Sequence, residues 1–253
     1  MIAAARPTAF ATPAQAASHL RFVLALGGLL GVLWAVAAID PNDRHDWALE
    51  NALLVAFVAL LASTYRRLPL SRVSYTLICA FLCLHIVGAH YTYSVVPYDA
   101  WVRALTGRSL DALLGWERNN FDRAVHFSYG LLLAYPVREM FLRVALARGF
   151  WGYFLPLDLT MSTSMLYELI EWGAAVVFGG DLGTAFLGSQ GDPWDAQKDM
   201  ALASLGALLA MGATAVLNIW LQRDFAREWA DSLRVKDPQP YGEEEIRRLL
   251  ARR

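Results

Sequence analysis

"MLYELIEW", residues 165–172, places Glu168 and Glu171 in the middle of an apolar run, Trp151–Phe178, that otherwise reads as a helix buried in a membrane. A run of that length crosses a hydrocarbon core of roughly 30 Å at about 1.5 Å per residue. An ionised side chain inside such a core costs about 2.5 kcal/mol or more unless it is paired or lines a polar cavity. What the two glutamates face is therefore the question on which both architecture and function turn.

Composition agrees with a membrane setting. Of 253 residues, 57% are hydrophobic, 12% aromatic and only 18% charged, and the mean hydropathy is +0.35. A soluble domain of this size carries more charge. The apolar residues fall into six blocks of spanning length: Leu20–Ile39, Trp47–Thr64, Val73–His90, Ala124–Ala145, Trp151–Phe178 and Met200–Leu221. These predict an all-α, polytopic bundle of six transmembrane helices over residues 20–222, between a leader at 1–19 and a tail at 223–253.

The net charge of −1 identifies no partner, but the placement of bases orients the chain. Arg66, Arg67 and Arg72 fall between the second and third blocks, Arg138, Arg143 and Arg148 around the turn between the fourth and fifth, and Arg223 and Arg227 after the sixth. By the positive-inside rule these loops and both termini are cytoplasmic. The Asp-rich loops "DPNDRHD" (40–46) and "GGDLGTAFLGSQGDPWDAQKD" (179–199) and the segment 91–121 are then outside. Small residues after the first block resemble a signal-cleavage site, yet the block is long and its leader weakly basic, which favours an uncleaved anchor. Gly27 and Gly31, four apart, predict close packing of the first helix against a neighbour. Cys79 and Cys83, one turn apart within the third block, read as small apolar packing residues.

With this topology Glu171 lies about 10 Å and Glu168 about 15 Å below the outer surface, and their spacing of three puts them on one helix face. His85 on the third helix sits at a similar depth to Glu171, with His90 nearer the surface. The fourth helix opens with Asp122 and His126 four apart, and Tyr129 follows. The sixth opens with Asp195 and Asp199 four apart, beside Asp192, Gln190 and Gln197. Four helices thus bring their unusual polar residues to one level, the outer half of the bilayer, where the glutamates face a shared polar cavity.

"HIVGAHYTY" (85–93), "NNFDRAVHFSYGLLLAYP" (119–136), "YELIEW" (167–172) and "GDPWDAQKDMALASLGALL" (191–209) resemble the signature of the YjdF-like bacterial inner-membrane protein family. Within it, Asp122, His126, Phe127, Tyr129, Glu168, Asp199 and Gly206 resemble the core of the VanZ-like superfamily, whose founding members are linked to glycopeptide-antibiotic resistance. The resemblance implies a multi-pass protein of the bacterial inner membrane and an envelope-stress or resistance setting. It implies no reaction.

Three functions compete for the cluster. Imidazole and carboxylates drawn in i,i+3 and i,i+4 pairs from facing helices are how bundles build sites for zinc, manganese or iron. In that reading His85, His126, Glu168, Glu171 and Asp199 are the metal ligands, Asp122 and Asp195 the candidate catalytic carboxylates, and His90, Tyr129, Asp192 and Gln197 line the cavity. The product is a metal-dependent hydrolase or transferase acting on a lipid or lipid-linked headgroup from the outer leaflet. A proton- or ion-coupled transporter would use the same groups as a relay, but six spans without an inverted repeat or a broken helix pair give no sign of alternating access. A structural or accessory protein would use them to hold helices together. No nucleophile elbow, phosphate-binding glycine loop or dinucleotide fingerprint is present, and nothing points to nucleic acid. Membrane lipids are the expected partners.

Two peripheral segments complete the reading. Residues 91–121 exceed what a connection needs, and Tyr91, Tyr93, Tyr98, Trp101 and Trp116 with Leu105, Leu110, Leu113 and Leu114 predict short helices lying in the outer interface, as an anchor or a lid. In the tail, "YGEEEIRRLLARR" (241–253) has acids early and bases late, which matches a short amphipathic helix.

Overall fold

A computed structural model describes residues 10, 12–178, 189–222, 224–236 and 242–252. Most of the leader, the stretch 179–188 of the Asp-rich segment, Arg223, and residues 237–241 and 253 of the tail lie outside them. All regular structure among the described residues is helical. In chain order the helices are α1 Pro13–Ala37, α2 Arg44–Thr64, α3 Arg72–His90, α4 Tyr98–Thr106, α5 Leu110–Leu114, α6 Phe121–Val144, α7 Trp151–Phe178, α8 Asp195–Leu221, α9 Phe225–Ser232 and α10 Glu243–Ala251.

Local chemistry sets the starts. Pro13 occupies the first turn of α1 and the Thr12 hydroxyl accepts from Gln15 N–H, so the helix begins seven residues before its apolar block. The Asp43 carboxylate caps α2 by accepting from His45 and Asp46 N–H, and Ser71 caps α3 through Ser74 N–H. Helices α6 and α8 begin earlier than their apolar blocks because Asp122 and Asp195 sit in their first turns, where carboxylates favour the positive end of the helix.

Helices α1, α2, α3 and α8 are long and apolar enough to cross a membrane. Helices α6 and α7 span 24 and 28 residues but carry charged residues along their length, so apolarity alone marks four spans rather than six. Pro136 and Pro156 lie within α6 and α7, which continue through them.

Three buried clusters among the described residues hold the bundle, the smallest around Ala89, Tyr93 and Val125. Leu54, Tyr75, Ile78, Leu82, Ile86 and Leu133 pack α2, α3 and α6 together with the inner face of α1. Ala134, Tyr153, Ala207, Ala210 and Met211 join α6, α7 and α8. The most extensive helix pair is α6 with α8, and glycines set its closeness. A Cβ on Gly130 would meet the Ala203 carbonyl oxygen and the Ala207 amide nitrogen, and one on Gly206 would meet the Phe127 carbonyl oxygen and the Leu131 amide nitrogen. Small residues in register let the two backbones touch, which is how helices associate where no hydrophobic drive separates them from lipid.

The expectation for Gly27 and Gly31 is corrected: a Cβ on either would meet nothing within 4 Å. That face of α1, with Leu24, Leu29, Val32 and Val36, is exposed, because α1 docks on α3 through its opposite side, Val23, Leu26, Leu30 and Leu33. The start of the tail packs back on the bundle. Helix α9 lays Phe225 and Trp229 against Tyr153, and the Ser232 hydroxyl accepts from Phe150 N–H at 2.9 Å. Cys79 and Cys83 are free thiols.

Candidate functional site

At one end of the bundle the end of α3 and the starts of α2, α6 and α8 gather a dense set of acids and their partners. The innermost group joins α6 to α8. Asp122 and His126, four apart on α6, and Asp199 on α8 place an oxygen, a nitrogen and an oxygen all within 4.8 Å of one another. Glu168 of α7 completes the group from the side: His126 Nε2 is 3.5 Å from Glu168 Oε1 and 3.6 Å from Asp122 Oδ1. His126, Glu168 and Asp199 are 8%, 8% and 2% exposed. Glu168 Oε1 and Asp199 Oδ1 are buried with no hydrogen-bond partner.

Those separations are informative. A charge-assisted N–H···O bond is about 2.7–2.9 Å long, so 3.5–3.6 Å is too long for one. Two donors each bound at about 2.0–2.2 Å to a common tetrahedral ion stand roughly 3.3–3.6 Å apart. The two His126-to-carboxylate separations have the spacing of donors that share an ion rather than of hydrogen-bonded partners, while the Asp122, His126 and Asp199 atoms spread over up to 4.8 Å.

A second layer lies beside the first. The Tyr167 hydroxyl of α7 donates to Glu50 Oε2 at 2.9 Å, and its ring stands edge-on to His126 with centroids 5.9 Å apart. Glu50 and Asp46, on α2, are 5% and 2% exposed, and Asp46 Oδ1 has no partner. Glu171 is half-buried and within electrostatic reach of Asp122, Glu168, Glu50 and Asp199.

The outer rim is basic. Arg118 Nη1 meets Asp195 Oδ1 at 2.6 Å, Arg123 Nη2 meets Asp192 Oδ2 at 2.6 Å, and Lys198 Nζ meets the same Asp192 oxygen at 2.5 Å. Hydrogen bonds from Lys198, the Trp194 N–H and Arg123 hold the Asp192 carboxyl down at about 2. A depressed folded-state value means that this clasp stabilises the fold throughout the range above ordinary carboxylate titration, and is lost only as the pH falls through about 2. Helices α4 and α5 are tied to the same rim: the Tyr98 hydroxyl donates to Asp111 at 2.6 Å and accepts from Asn120 N–H at 3.1 Å. Burial and the Asp111 bond push that hydroxyl up to about 12, so it stays protonated. Replacing Arg118 by Gln leaves buried Asp195 with only the 3.3 Å contact from Arg123 and is expected to lower stability by about 2–3 kcal/mol, read as a fall in the thermal midpoint of the detergent-purified protein.

Several expected roles change. His85 is not among the converging ligands: its Nε2 donates to the Glu50 carbonyl at 3.3 Å and its Nδ1 accepts from Tyr93, which occupies both ring nitrogens. His90 bonds the Ala37 carbonyl at 2.8 Å and ties α3 to α1. Gln197 is exposed. Asp195 is neutralised between two arginines rather than free as an acid or base, and Asp192 belongs to the clasp. Asp122 sits with the ligand group. Tyr129 lies deeper, its hydroxyl 2.6 Å from that of Thr163. Glu50, Asp46, Tyr167, Arg118 and Arg123 belong to the site although their sequence positions do not single them out. Only the acids carry a signal: in "DWALEN" (46–51) Asp46 and Glu50 repeat the four-residue spacing at the start of α2.

The comparisons with known proteins agree with the helical, membrane-bound architecture. The family described as "Predicted membrane protein (DUF2238)" matches residues 22–221. "Inner membrane protein YjdF" of Escherichia coli (strain K12) is 38% identical over 180 residues, which cover 71% of this chain and 82% of that protein. No solved structure matches the chain. The chain is thus an integral inner-membrane protein and belongs to the DUF2238 family.

Proposed function

We propose that the chain crosses the membrane six times with both termini in the cytoplasm, and that Asp122, His126, Asp199 and Glu168 hold one divalent cation, zinc, manganese or iron, in the outer half of the bilayer. The observation that carries this reading is the pair of buried, partnerless oxygens beside His126: Glu168 Oε1, 3.5 Å from its Nε2, and Asp199 Oδ1, whose carboxylate lies with Asp122 and His126 in a group of donor atoms within 4.8 Å of one another. A buried ionised carboxylate without a donor is strongly disfavoured unless a cation or a proton neutralises it.

An ion held by these residues would supply Lewis acidity, activating a water near neutral pH and polarising an ester or phosphoester oxygen. At this depth the substrate class is a lipid or lipid-linked headgroup of the outer leaflet. Glu50 and Glu171 are the neighbouring carboxylates that could hold a proton beside the group, and Tyr167 orients Glu50. Helices α4 and α5, with Leu105 and Leu113 exposed at 87% and 70%, lie in the interface beside the rim and guard entry. A transport path would have to continue through Ile78, Leu82 and Leu133, which are buried hydrocarbon.

Elemental analysis of protein purified in neutral detergent without chelator tests the reading: about one transition-metal or zinc ion per chain is expected, and a metal-free, fully folded preparation that takes up none of the three overturns it. Orientation is checked separately with reporters inserted in full-length protein. Those after Arg148 and Arg252 are expected to act only on the cytoplasmic side and one at Gly107 only outside. An exported Arg252 reporter reverses the proposed topology.

A further inference from the structure

The end of the bundle opposite the carboxylates holds two adjoining cavities that the cation reading does not use. The first, about 370 Å³, is lined by Arg138, Arg143 and Arg148 together with Tyr153, Asn218 and Glu228, a volume in the range of small-molecule sites. Its charges are unequally spent. Glu228 accepts from Gly149 N–H at 3.3 Å, and Arg143 is held by Glu139 at 3.0 Å and by the Pro69 carbonyl. Arg138 and Arg148 pair with no carboxylate among the described residues. The Arg138 guanidinium lies 4.6 Å over the Tyr153 ring, and its Nε is buried with no hydrogen-bond partner. The second cavity, about 650 Å³, shares Arg148 and Glu228 and has an apolar wall of Leu146, Trp151 and Leu155. Leu146 and Trp151 are 70% and 42% exposed.

We propose that these cavities bind a phosphate ester, the anionic headgroup of a phospholipid in the leaflet at that end, with its phosphate between Arg138 and Arg148 and its acyl chains over Leu146, Trp151 and Leu155. Guanidinium groups present paired N–H donors that match phosphate oxygens, and Arg138 is held rigid by its stacking on Tyr153, so little order is lost when the ligand arrives. The apolar wall beside Arg148 favours a lipid over a soluble anion. Anionic lipid also attracts bases near the membrane surface.

The test is calorimetric titration of the full-length protein in neutral maltoside detergent with dihexanoyl phosphatidylglycerol, inorganic phosphate and phosphate-free dihexanoylglycerol. Saturable binding of the phospholipid is expected, with none for dihexanoylglycerol. Arg148→Gln weakens the phospholipid roughly tenfold, and adding Arg138→Gln removes measurable binding. Arg148 is exposed, so Arg148→Gln leaves packing untouched and carries the test alone should the double variant lose its thermal transition. Inorganic phosphate that binds as tightly as the lipid, with the same loss in Arg148→Gln, keeps the phosphate site and transfers its source to a soluble phosphate compound. Unchanged phospholipid affinity in a folded Arg148→Gln protein, or equal binding of dihexanoylglycerol, overturns the proposal.

Discussion

Replacing Asp199 by Asn is expected to empty the cation site while leaving the bundle folded. The change keeps size and most hydrogen-bonding capacity but removes the charge that an ion requires, and His126→Gln and Glu168→Gln should behave alike. Bound metal should fall from about one ion per chain to near zero, and any hydrolytic activity with it. Stability separates this from a purely structural role. In the metal-free protein Asp122, Glu168 and Asp199 crowd one buried volume with Glu50 nearby, so neutralising one relieves repulsion, and the metal-free thermal midpoint holds or rises. If the side chains only brace one another, His126 loses its carboxylate partner at 3.5 Å in Glu168→Gln, and stability falls by about 1–3 kcal/mol without loss of metal. Glu50→Gln makes a useful contrast. It lies outside the ligand group, so metal should stay bound while activity drops. Retention of full metal content by Asp199→Asn and His126→Gln together would exclude the site as assigned.

Widening the α6–α8 contact is expected to have the largest effect on the fold itself. Gly206→Leu drives a side chain into the Phe127 carbonyl and the Leu131 amide, and Gly130→Ala places its methyl on the Ala203 carbonyl. Backbone of a neighbouring helix cannot rotate aside as a side chain does, so the helices must separate along their most extensive contact. Overpacking of this kind costs about 1–3 kcal/mol for the single methyl and more for leucine, roughly 3–10 °C in the thermal midpoint for a chain of this size. Asp122 and His126 ride on α6 and Asp199 on α8, so the same shift pulls the ligand set apart and metal should be lost in proportion. Gly212→Ala is the internal control. It sits on α8 with nothing within 4 Å of its Cβ, and should be neutral or stabilising by up to about 1 kcal/mol through helix propensity alone. Equal midpoints for Gly130→Ala and Gly212→Ala would show that the close approach is not what holds these helices.

Much of this was legible in the chain. Runs of apolar residues of spanning length predict helices because a backbone in hydrocarbon must satisfy its own hydrogen bonds, and the helices are found where the runs are, extended by caps such as Thr12 and Asp43. The long outer segment predicts short helices from its spaced leucines and aromatics, and α4 and α5 stand there. The i,i+4 spacings of Asp122 with His126 and of Asp195 with Asp199 place those pairs on shared helix faces and at one end of the bundle. Family membership was equally readable from the motifs around them.

Pairing was not. Spacing shows that Asp195 and Asp199 share a face, but only the approach of the 118–123 segment delivers Arg118 and Arg123 to Asp195 and leaves Asp199 facing His126. The same holds for His85, which lies at the depth expected of a ligand yet is turned to the Glu50 carbonyl and Tyr93. Spacing along a helix fixes which residues share a face but not which neighbour that face meets, so rotation about the helix axis is decided by packing, for α6 and α8 by the close approach at Gly130 and Gly206. The sequence by itself determined where the long helices run, which end of the bundle carries the acids and that they need neutralising. The tertiary structure decided which acids arginine neutralises, at the rim, and which are left at Asp122, Asp199 and Glu168 around His126, because that depends on contacts between helices far apart in the chain.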